Sequence, residues 1–256
     1  MPPSTQNKST NQKSSVQPRN SLAISIPIYL WMGLWTALMF LLEALPFLVG
    51  LCLPPKPRGA IMRRLALFWG MATIHLAVWP WIRIHRIGAA IVPGPAIYVF
   101  NHRSAFDAFL AATLAKDLVQ GVNGWPMRLP LLGFAARQAG YLDITCMTHE
   151  EIQMRAKECL SQGISMVFFP EGHRSGDAPL QPFRSGAFRL ARDLGVPLQP
   201  IVITGNERIP DLHFRMAPGH IRIDVLPAIS PEEQANFTNA FTLKQHVRKL
   251  MLEHNA

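Results

Sequence analysis

An apolar stretch from Leu22 to Leu53 constrains this chain more than any other feature, because its length and composition match those of a membrane-spanning helix. Its middle part, residues 28–45, is about long enough to cross the hydrocarbon core of a bilayer. Only one charged residue and two prolines interrupt it: Glu43, Pro27 and Pro46. The preceding residues 1–20 are rich in Ser, Asn, Gln, Lys and Pro, and we predict a disordered tail there.

A second apolar run, Leu65 to Ile82, follows a proline-rich break at residues 54–59. Two complete spans would place the cations around this break opposite the basic tail, against the positive-inside tendency. A hairpin, or a shallow pair of helices in the cytoplasmic leaflet, keeps these charges on one side. We therefore predict a membrane-associated helical segment at residues 21–82, at the cytoplasmic face of the inner (plasma) membrane. The alternative is that both runs are core helices of a soluble protein.

The charge balance points to an anionic partner. With 25 Lys and Arg against 16 Asp and Glu, the formal net charge is +9. Nucleic acid and an anionic lipid surface both fit such a charge. The basic residues lie beside apolar segments without interleaved aromatic residues, which favours lipid, so no nucleic-acid partner is expected. The three cysteines and the histidines show no ligand spacing, and we predict neither a disulfide framework nor a metal site.

After Arg83 the sequence alternates between short strands and helices. This order predicts an α/β fold with a largely parallel central sheet flanked by helices, over residues 83–256. The predicted strands are Ala96 to Phe100, Ile164 to Phe169, Val196 to Thr204 and Ile221 to Leu226. The predicted helices are Ala105 to Leu118, one opened by the capping box at Thr148 and closed by Gly163, Ser185 to Leu194, and a last one beginning at Ser230.

A polar cluster, Asn101 to Asp107, directly follows the first predicted strand. In α/β sheets, reactive groups collect at the carboxyl ends of strands. His102 is a candidate general base, and a carboxylate on its other ring nitrogen would fix the tautomer and stabilise the imidazolium. Asp107 fits that role if His102 lies on the loop and Asp107 in the first helical turn. The alternative is that Asp107 only caps the helix, since Ser104 and Asp107 also form a capping-box pattern.

A second polar cluster, residues 170–175, follows the next predicted strand. Arg174 can hold a phosphate through its fork of donors, and Gly172 would let backbone N–H groups approach that phosphate. Glu171 either hydrogen-bonds an acceptor hydroxyl or holds the loop. The alternative for the whole cluster is a solvated turn with an Arg–Glu pair.

Together these segments resemble the 1-acylglycerol-3-phosphate acyltransferase family, which includes the glycerol-3-phosphate acyltransferases. Residues 101–107 are similar to its N-H-x-S-x-x-D block, and residues 169–175 are similar to its F-P-E-G-T-R-S block. Residues 128–133, running on to residues 140–142, resemble the family's second block. Residues 196–201 resemble its fourth block, V-P-x-x-P. The linking residues 182–187 also fit, so that the resemblance covers about residues 83–226.

The resemblance implies a function: transfer of a fatty acyl group from acyl-CoA or acyl carrier protein to a hydroxyl of lysophosphatidate, in phospholipid biosynthesis. It implies that His102 is the general base and that Asp107 orients it, with no cofactor besides the acyl donor. The residues expected to bind the acceptor are Glu171, Gly172, Arg174, Ser175, Arg128 and Arg184.

Two departures from the family pattern bear on the acceptor. His173 stands where the third block has threonine, and Cys146 stands where the second block ends in a phosphate-binding arginine. Acylation of a lyso-ornithine or other lyso-amino-acid lipid is therefore an alternative. A membrane protein that binds lipid without turnover is a second, non-enzymatic alternative.

Overall fold

A seven-stranded sheet forms the centre of the protein. The computed structural model describes residues 22–115 and 117–255, so the predicted tail at residues 1–20 lies outside the described part. The strands are β1 (Ile82–Gly88), β2 (Ile97–Phe100), β3 (Leu118–Val122), β4 (Leu142–Asp143), β5 (Ser165–Phe168), β6 (Leu198–Thr204) and β7 (Gly219–Val225). They are ordered β1-β7-β6-β2-β5-β3-β4, and every neighbouring pair is parallel except β6 with β7. The predicted largely parallel sheet is confirmed.

Helices cover both faces of this sheet. They are α1 (Leu22–Leu51), α2 (Pro55–Ala72), α3 (Asp107–Ala112), α4 (Gly124–Met127), α5 (Pro130–Ala139), α6 (His149–Ser161), α7 (Gly186–Leu194), α8 (Pro231–Ala235) and α9 (Ala240–Glu253). One face packs against α6, α7 and α9 through residues such as Leu160, Phe188 and Val247. The other packs against α1 and α3 through Ile28 and Leu110. A layer of helices therefore lies on each side of a sheet that is buried on both faces, as parallel sheets require.

The N-terminal helices form a hairpin in which α2 begins ten residues before the predicted Leu65. Of the prolines in the predicted break, Pro54 is the N-cap of α2, and Pro55 and Pro57 lie in the first turn, where a missing N–H costs no hydrogen bond. The guanidinium of Arg58 closes the turn by donating to the Leu53 carbonyl, at 2.9 Å from Nη2. A π-helical turn, Thr73–Ala77, extends α2 toward β1, which begins at Ile82. The proposed boundary between residues 82 and 83 thus falls after the first residue of β1.

Helix α1 is long and apolar enough to cross a membrane by length and composition. Its 30 residues span about 45 Å at 1.5 Å per residue. Only 11% of its most apolar window is buried, whereas a core helix of a soluble protein would be mostly buried. Large side chains such as Leu30 and Leu41 are at least 70% exposed. This exposed apolar surface indicates membrane association.

Two helix predictions were wrong in extent. The helix predicted from Ala105 to Leu118 is limited to α3, because the chain turns after Thr113 and Leu118 already belongs to β3. The helix predicted to begin at Ser230 is two helices, since Asn239 forms a second capping box that starts α9. The capping boxes at Thr148 and Ser230 are confirmed, and Gly195 ends α7 in the left-handed conformation.

Candidate active site

Three neighbouring strands deliver their following loops to one edge of the sheet. Strand β2 lies between β5 and β6 and is parallel to both. The loop after β2 carries residues 101–107, the loop after β5 carries residues 169–176, and the loop after β6 carries residues 205–216. Because parallel strands end at the same edge, these loops meet there. The two polar clusters singled out in the sequence therefore lie together in one site.

His102 and Asp107 are in direct contact. The His102 Nδ1 atom lies 2.8 Å from Asp107 Oδ2. An ionised carboxylate only accepts hydrogen bonds, so Nδ1 carries the proton and Nε2 keeps its lone pair. The imidazole remains 20% exposed, whereas the Asp107 side chain is fully buried. A ring whose Nε2 can accept a proton, backed by a buried carboxylate, is the arrangement of a general base.

Asp107 is held by four donors. Its Oδ2 accepts from the backbone N–H groups of Arg103, at 2.8 Å, and Ser104, at 2.9 Å, besides the His102 ring. Its Oδ1 accepts from the side-chain amide of Asn206. The bond from the Ser104 N–H is one half of the capping box considered in the sequence. The other half is absent, because Ser104 Oγ accepts from the Phe106 N–H and Phe106 is the N-cap of α3. The four donors give the Asp107 carboxylate one fixed orientation.

Glu171 joins two loops of the site. Its Oε1 accepts from the His102 backbone N–H at 2.6 Å, and its Oε2 accepts from the Gln181 N–H at 2.9 Å. Only 2% of the residue is exposed. Burial raises the pKa of Glu171, and these two backbone hydrogen bonds offset part of that increase. Of the two roles that the sequence left open for Glu171, this geometry supports holding the loop.

The two clusters are hydrogen-bonded to each other along their backbones. The Ser175 N–H donates to the His102 carbonyl at 2.7 Å, and the Ser175 hydroxyl donates to the same oxygen at 3.0 Å. The next N–H, of Gly176, donates to the Arg103 carbonyl at 3.2 Å. We call this set of three bonds the loop seam. It fixes the loop that carries Arg174 relative to His102.

Arg174 is a half-buried cation with an unused donor. Its Nη1 atom is buried and has no hydrogen-bond partner in the part of the chain that the structure describes. Its guanidinium lies over the Phe214 ring, 5.1 Å from the centroid, in cation–π geometry. Such an arginine is restrained in position while keeping donors available for an anion.

Gly172 and Arg184 are in close contact. Gly172 has φ of +77°, and a Cβ there would lie 2.8 Å from Arg184 Nε. The backbone conformation and the nearby guanidinium both require glycine at this position. The Gly172 carbonyl accepts from the Asn123 side chain at 2.6 Å, which brings the segment after β3 to the same loop.

Arg128 lies beside the segment that contains Cys146. It is exposed at the end of α4, and its charge is close enough to contribute to a lowered pKa at Asp143. Burial, the largest single influence, acts to raise that pKa, but hydrogen bonds from Thr145 and Cys146 together with the Arg128 charge outweigh it. Cys146 is exposed, as is His173 on the neighbouring loop. Arg128, one of the residues expected to bind the acceptor, thus lies beside the segment of Asp143 and Cys146. It takes no part in the loop seam.

Sequence reasoning missed the loop after β6. Asn206 contacts Asp107, Glu207 pairs with Arg103 at 3.1 Å, and Phe214 lies against Arg174. A signal was present, since residues 205–208 form a third polar segment directly after the predicted strand Val196 to Thr204. Among the residues that the structure describes, no group of three or more His, Cys, Asp or Glu side chains is placed to hold a metal ion.

An apolar cavity of about 330 Å³ lies between the N-terminal hairpin and the sheet. Helices α1, α2 and α5 supply most of its wall, including Phe40, Trp69 and Leu132. Helix α3 contributes Ala108 and Phe109, immediately after the Asp107 carboxylate. The cavity thus shares a short helix with the histidine–aspartate pair.

The fold resembles that of a solved acyltransferase. The crystal structure of the 1-acyl-sn-glycerophosphate (LPA) acyltransferase PlsC from Thermotoga maritima superposes with a TM-score of 0.73, covering 90% of this chain and 94% of that chain. The sequence identity is 17%, so this comparison shows the shared fold alone. It includes the mixed α/β architecture and the N-terminal helices.

Sequence comparisons identify the family. Residues 82–204 match the family model described as Acyltransferase. A 1-acyl-sn-glycerol-3-phosphate acyltransferase of Limnanthes alba is 30% identical over 202 residues, 68% of this chain and 72% of that protein. A chloroplastic 1-acyl-sn-glycerol-3-phosphate acyltransferase of Arabidopsis thaliana is 31% identical over 140 residues, but the match spans only 39% of that protein's length. For the enzyme of the same name from Salmonella typhimurium the identity is 29%, over 62% of this chain and 66% of that protein. The chain belongs to the 1-acyl-sn-glycerol-3-phosphate acyltransferase family.

Proposed function

We propose that this protein transfers a fatty acyl group from acyl-CoA or acyl carrier protein to the free hydroxyl of lysophosphatidate, in phospholipid biosynthesis. The observation that carries the proposal is the 2.8 Å contact between His102 Nδ1 and Asp107 Oδ2, which leaves Nε2 as a base at the exposed edge of the site. Family membership supports the same reaction, since the relatives are named for it.

The reaction proceeds by direct transfer. His102 Nε2 takes the proton of the acceptor hydroxyl as its oxygen attacks the thioester carbonyl carbon. The buried Asp107 carboxylate stabilises the imidazolium that forms. Collapse of the tetrahedral intermediate breaks the C–S bond, and the leaving thiolate receives the proton from His102. The products are the ester and the free thiol, and no cofactor takes part.

The acceptor phosphate is bound by the loop after β5. Arg174 has a buried, unpartnered Nη1 within the described residues, and charge-assisted bonds from arginine to phosphate are among the strongest available. Arg184 lies against Gly172, and its guanidinium occupies the space that a side chain at Gly172 would take, so this second cation is held beside the loop. Arg128 supplies a further cation from the segment after β3. Ser175 and Glu171 position this loop through their bonds to His102.

The acyl chain occupies the apolar cavity between the hairpin and the sheet. Burial of a long hydrocarbon chain requires a wall of this composition, at about 25 cal/mol per Å² of apolar surface removed from water. The neighbouring exposed helix α1 lets lipid substrates enter from the bilayer. We place the site at the cytoplasmic face of the inner (plasma) membrane, because this keeps the cations around the hairpin turn on one side.

A transfer assay with purified protein tests the proposal. Full-length protein in detergent should move a labelled acyl group from its thioester to lysophosphatidate. In His102→Ala, turnover should fall by about two to four orders of magnitude, since the general base is lost. His149→Ala is the matched control, because His149 is exposed on α6. Equal turnover in wild type and His102→Ala would refute the mechanism.

The segment around Cys146 favours a second acceptor class. At this position the chain has an exposed thiol, and the nearby Asp143 carries a carboxylate that accepts from the Thr145 hydroxyl at 2.6 Å. A carboxylate suits the amino group of a lyso-ornithine or other lyso-amino-acid lipid. In Cys146→Arg, use of lysophosphatidate should be kept or improved if phosphate is the native head group. Wild type that acylates a lyso-amino-acid lipid, but not lysophosphatidate, would establish the second class.

A further inference from the structure

The apolar cavity contains polar groups that binding of a plain hydrocarbon chain does not use. Four of its lining side chains carry oxygen or nitrogen: Glu43, Trp69, Gln120 and Tyr141. A polar atom facing an apolar cavity without a partner costs roughly 1–3 kcal/mol. Polar groups are therefore expected in such a wall only where something satisfies them.

Gln120 is the clearest case. The residue is 2% exposed, and its Nε2 donates to the Ala108 carbonyl at 2.9 Å. That bond fixes the amide and leaves Oε1 buried with no hydrogen bond from the described residues, although the Tyr141 hydroxyl is near enough to interact with the Gln120 side chain. A fixed, buried acceptor in a cavity wall selects a ligand that brings a donor.

Tyr141 stands next to Gln120. Strands β3 and β4 are parallel, with Gly121 opposite Leu142, so the residues one position earlier are also neighbours. Leu142 faces the core on the other side of the sheet, and alternation turns Tyr141 toward the cavity with Gln120. Burial raises the pKa of Tyr141 to about 12, and the Gln120 amide lowers it by a smaller amount. The hydroxyl is therefore protonated at neutral pH and can both donate and accept.

Glu43 adds a carboxyl group from the hairpin. It lies on the same side of α1 as Phe40 and Phe47, which also line the cavity. Its Oε1 is buried and has no hydrogen-bond partner among residues 22–115 and 117–255. An ionisable residue on a membrane-associated helix is costly, and it marks a functional site when it faces the protein interior.

We propose that this cavity selects acyl chains that carry a hydroxyl group along the hydrocarbon. The hydroxyl of the acyl chain donates to Gln120 Oε1 and accepts from the Tyr141 hydroxyl. Glu43 provides a second polar position in the same wall. The inference rests on the proposed function, in which this cavity holds an acyl chain. Either the acyl donor or the lysolipid acceptor can bring such a chain.

Binding without turnover tests this selection. In the His102→Ala background, a fluorescent fatty acyl probe is displaced from full-length protein in detergent by hexadecanoyl-CoA or by 1-hexadecanoyl-lysophosphatidate. Each competitor is compared with isomers that carry one hydroxyl at successive chain positions. We expect one isomer, in one of the two arms, to bind about tenfold tighter than the plain chain. The arm that shows the preference identifies the substrate that brings the hydroxyl.

Three variants connect the preference to the cavity. Tyr141→Phe removes only the hydroxyl, and Gln120→Leu removes the buried acceptor at similar volume. In each variant, the affinity for the preferred hydroxylated isomer divided by the affinity for the plain chain should fall to about one or less. Leu132→Met, an apolar change in the same wall, should leave this ratio unchanged. Ratios between variants cancel the different partition of hydroxylated chains into micelles. If Gln120→Leu does not fold, Tyr141→Phe gives the same test.

The outcomes separate the two proposals. A preference of onefold or less for every isomer in both arms, or one that Tyr141→Phe leaves intact, overturns the hydroxyl selection even if wild type transfers acyl groups. Absence of transfer by wild type, with the binding preference present, overturns the proposed function while the selection stands.

Discussion

At the scale of single residues, the Glu171 side chain connects two backbone segments of the site. Its two oxygens bond separate backbone segments, at His102 and Gln181, and its burial raises its pKa. A carboxyl whose pKa is raised on folding binds its proton more tightly in the folded state. The free energy of unfolding therefore falls as pH rises from the ordinary value of 4.5 through the raised folded-state value.

The pH dependence of stability should show this effect. Glu171→Gln cannot titrate, so the melting temperature of wild type minus that of Glu171→Gln should decrease as pH increases from about 4.5 upward. Scanning calorimetry of both proteins in the same detergent measures the difference. Loss of the hydrogen bond to Gln181 shifts the difference by a constant amount only. A difference that stays flat or increases with pH would contradict the assignment.

Arg174 gives a prediction about the acceptor. A bidentate arginine–phosphate contact contributes about 1.5–3 kcal/mol, so Arg174→Ala should raise the KM for lysophosphatidate by roughly ten- to a hundredfold. The KM for the acyl donor should change much less. Arg189→Ala removes the same charge from the exposed side of α7 and serves as the control. Equal changes in both KM values would argue against a phosphate contact.

Some residues of the site could be predicted from the sequence and others could not. The spacing of His102 and Asp107 allowed their contact, because a loop followed by a helical turn brings such residues together. Asn206 lies 99 positions from Asp107, and only the adjacency of β6 and β2 brings the two together. That adjacency is a property of the sheet order, which no local pattern in the sequence specifies.

At the scale of elements, the start of α1 is bonded to the loop after β6. The Tyr29 hydroxyl donates to the Phe214 carbonyl at 2.8 Å, and the Ser25 hydroxyl exchanges two hydrogen bonds with Met216. Since Phe214 also packs on Arg174, the membrane-associated helix restrains the arginine that we propose binds the acceptor phosphate.

Loosening this connection should weaken acceptor binding. Tyr29→Phe removes one hydrogen bond, worth about 0.5–1.5 kcal/mol, so the KM for the acceptor should rise by about two- to tenfold with kcat nearly unchanged. Leu30→Ala, at a neighbouring position that is 70% exposed, is the control. Steady-state kinetics at saturating acyl donor measure the effect. A lowered kcat with an unchanged KM would show that the helix affects a step other than acceptor binding.

Element prediction succeeded where local signals were strong and failed where packing decides. The capping boxes at Thr148 and Ser230 determined two helix starts correctly. Strand β1 was missed because its apolar alternation runs only from Ile82 to His85 and stops at Arg86, and because Ile82 also ends the apolar run that was predicted as a helix. Helix α3 ends at Ala112 beside Gly70 of α2, where an added Cβ would lie 3.3 Å from the Phe109 carbonyl oxygen, and the sequence window does not contain this tertiary neighbour.

At the scale of the whole molecule, the hairpin and the sheet share a core. Ile28 of α1 is fully buried among residues of β2, β6 and β7, whereas most of α1 is exposed. The helix is thus docked near its N-terminal end and bears an apolar surface along the rest. The largely parallel sheet could be predicted from the order of strands and helices, but this docking could not, because α1 looks uniformly apolar.

Fractionation tests the membrane assignment. Carbonate-washed membranes from cells that make the full-length protein should retain it, because the exposed leucines of α1 have no other apolar environment. A variant that lacks residues 1–82 loses both the anchor and Ile28, so it should aggregate or require no detergent for extraction. Full-length protein in the soluble fraction would overturn the assignment.

The loop seam has a consequence for how acceptor specificity can evolve. Ser175 and Gly176 bond the carbonyls of His102 and Arg103, so a substitution that moves the loop after β5 also moves the base. Selection for a new head group at that loop would therefore meet an immediate loss of turnover. Residues 143–146, which include Asp143 and Cys146, make no such bond to His102, so their side chains can change without moving the base. Laboratory evolution toward other lipids should collect its first accepted mutations there.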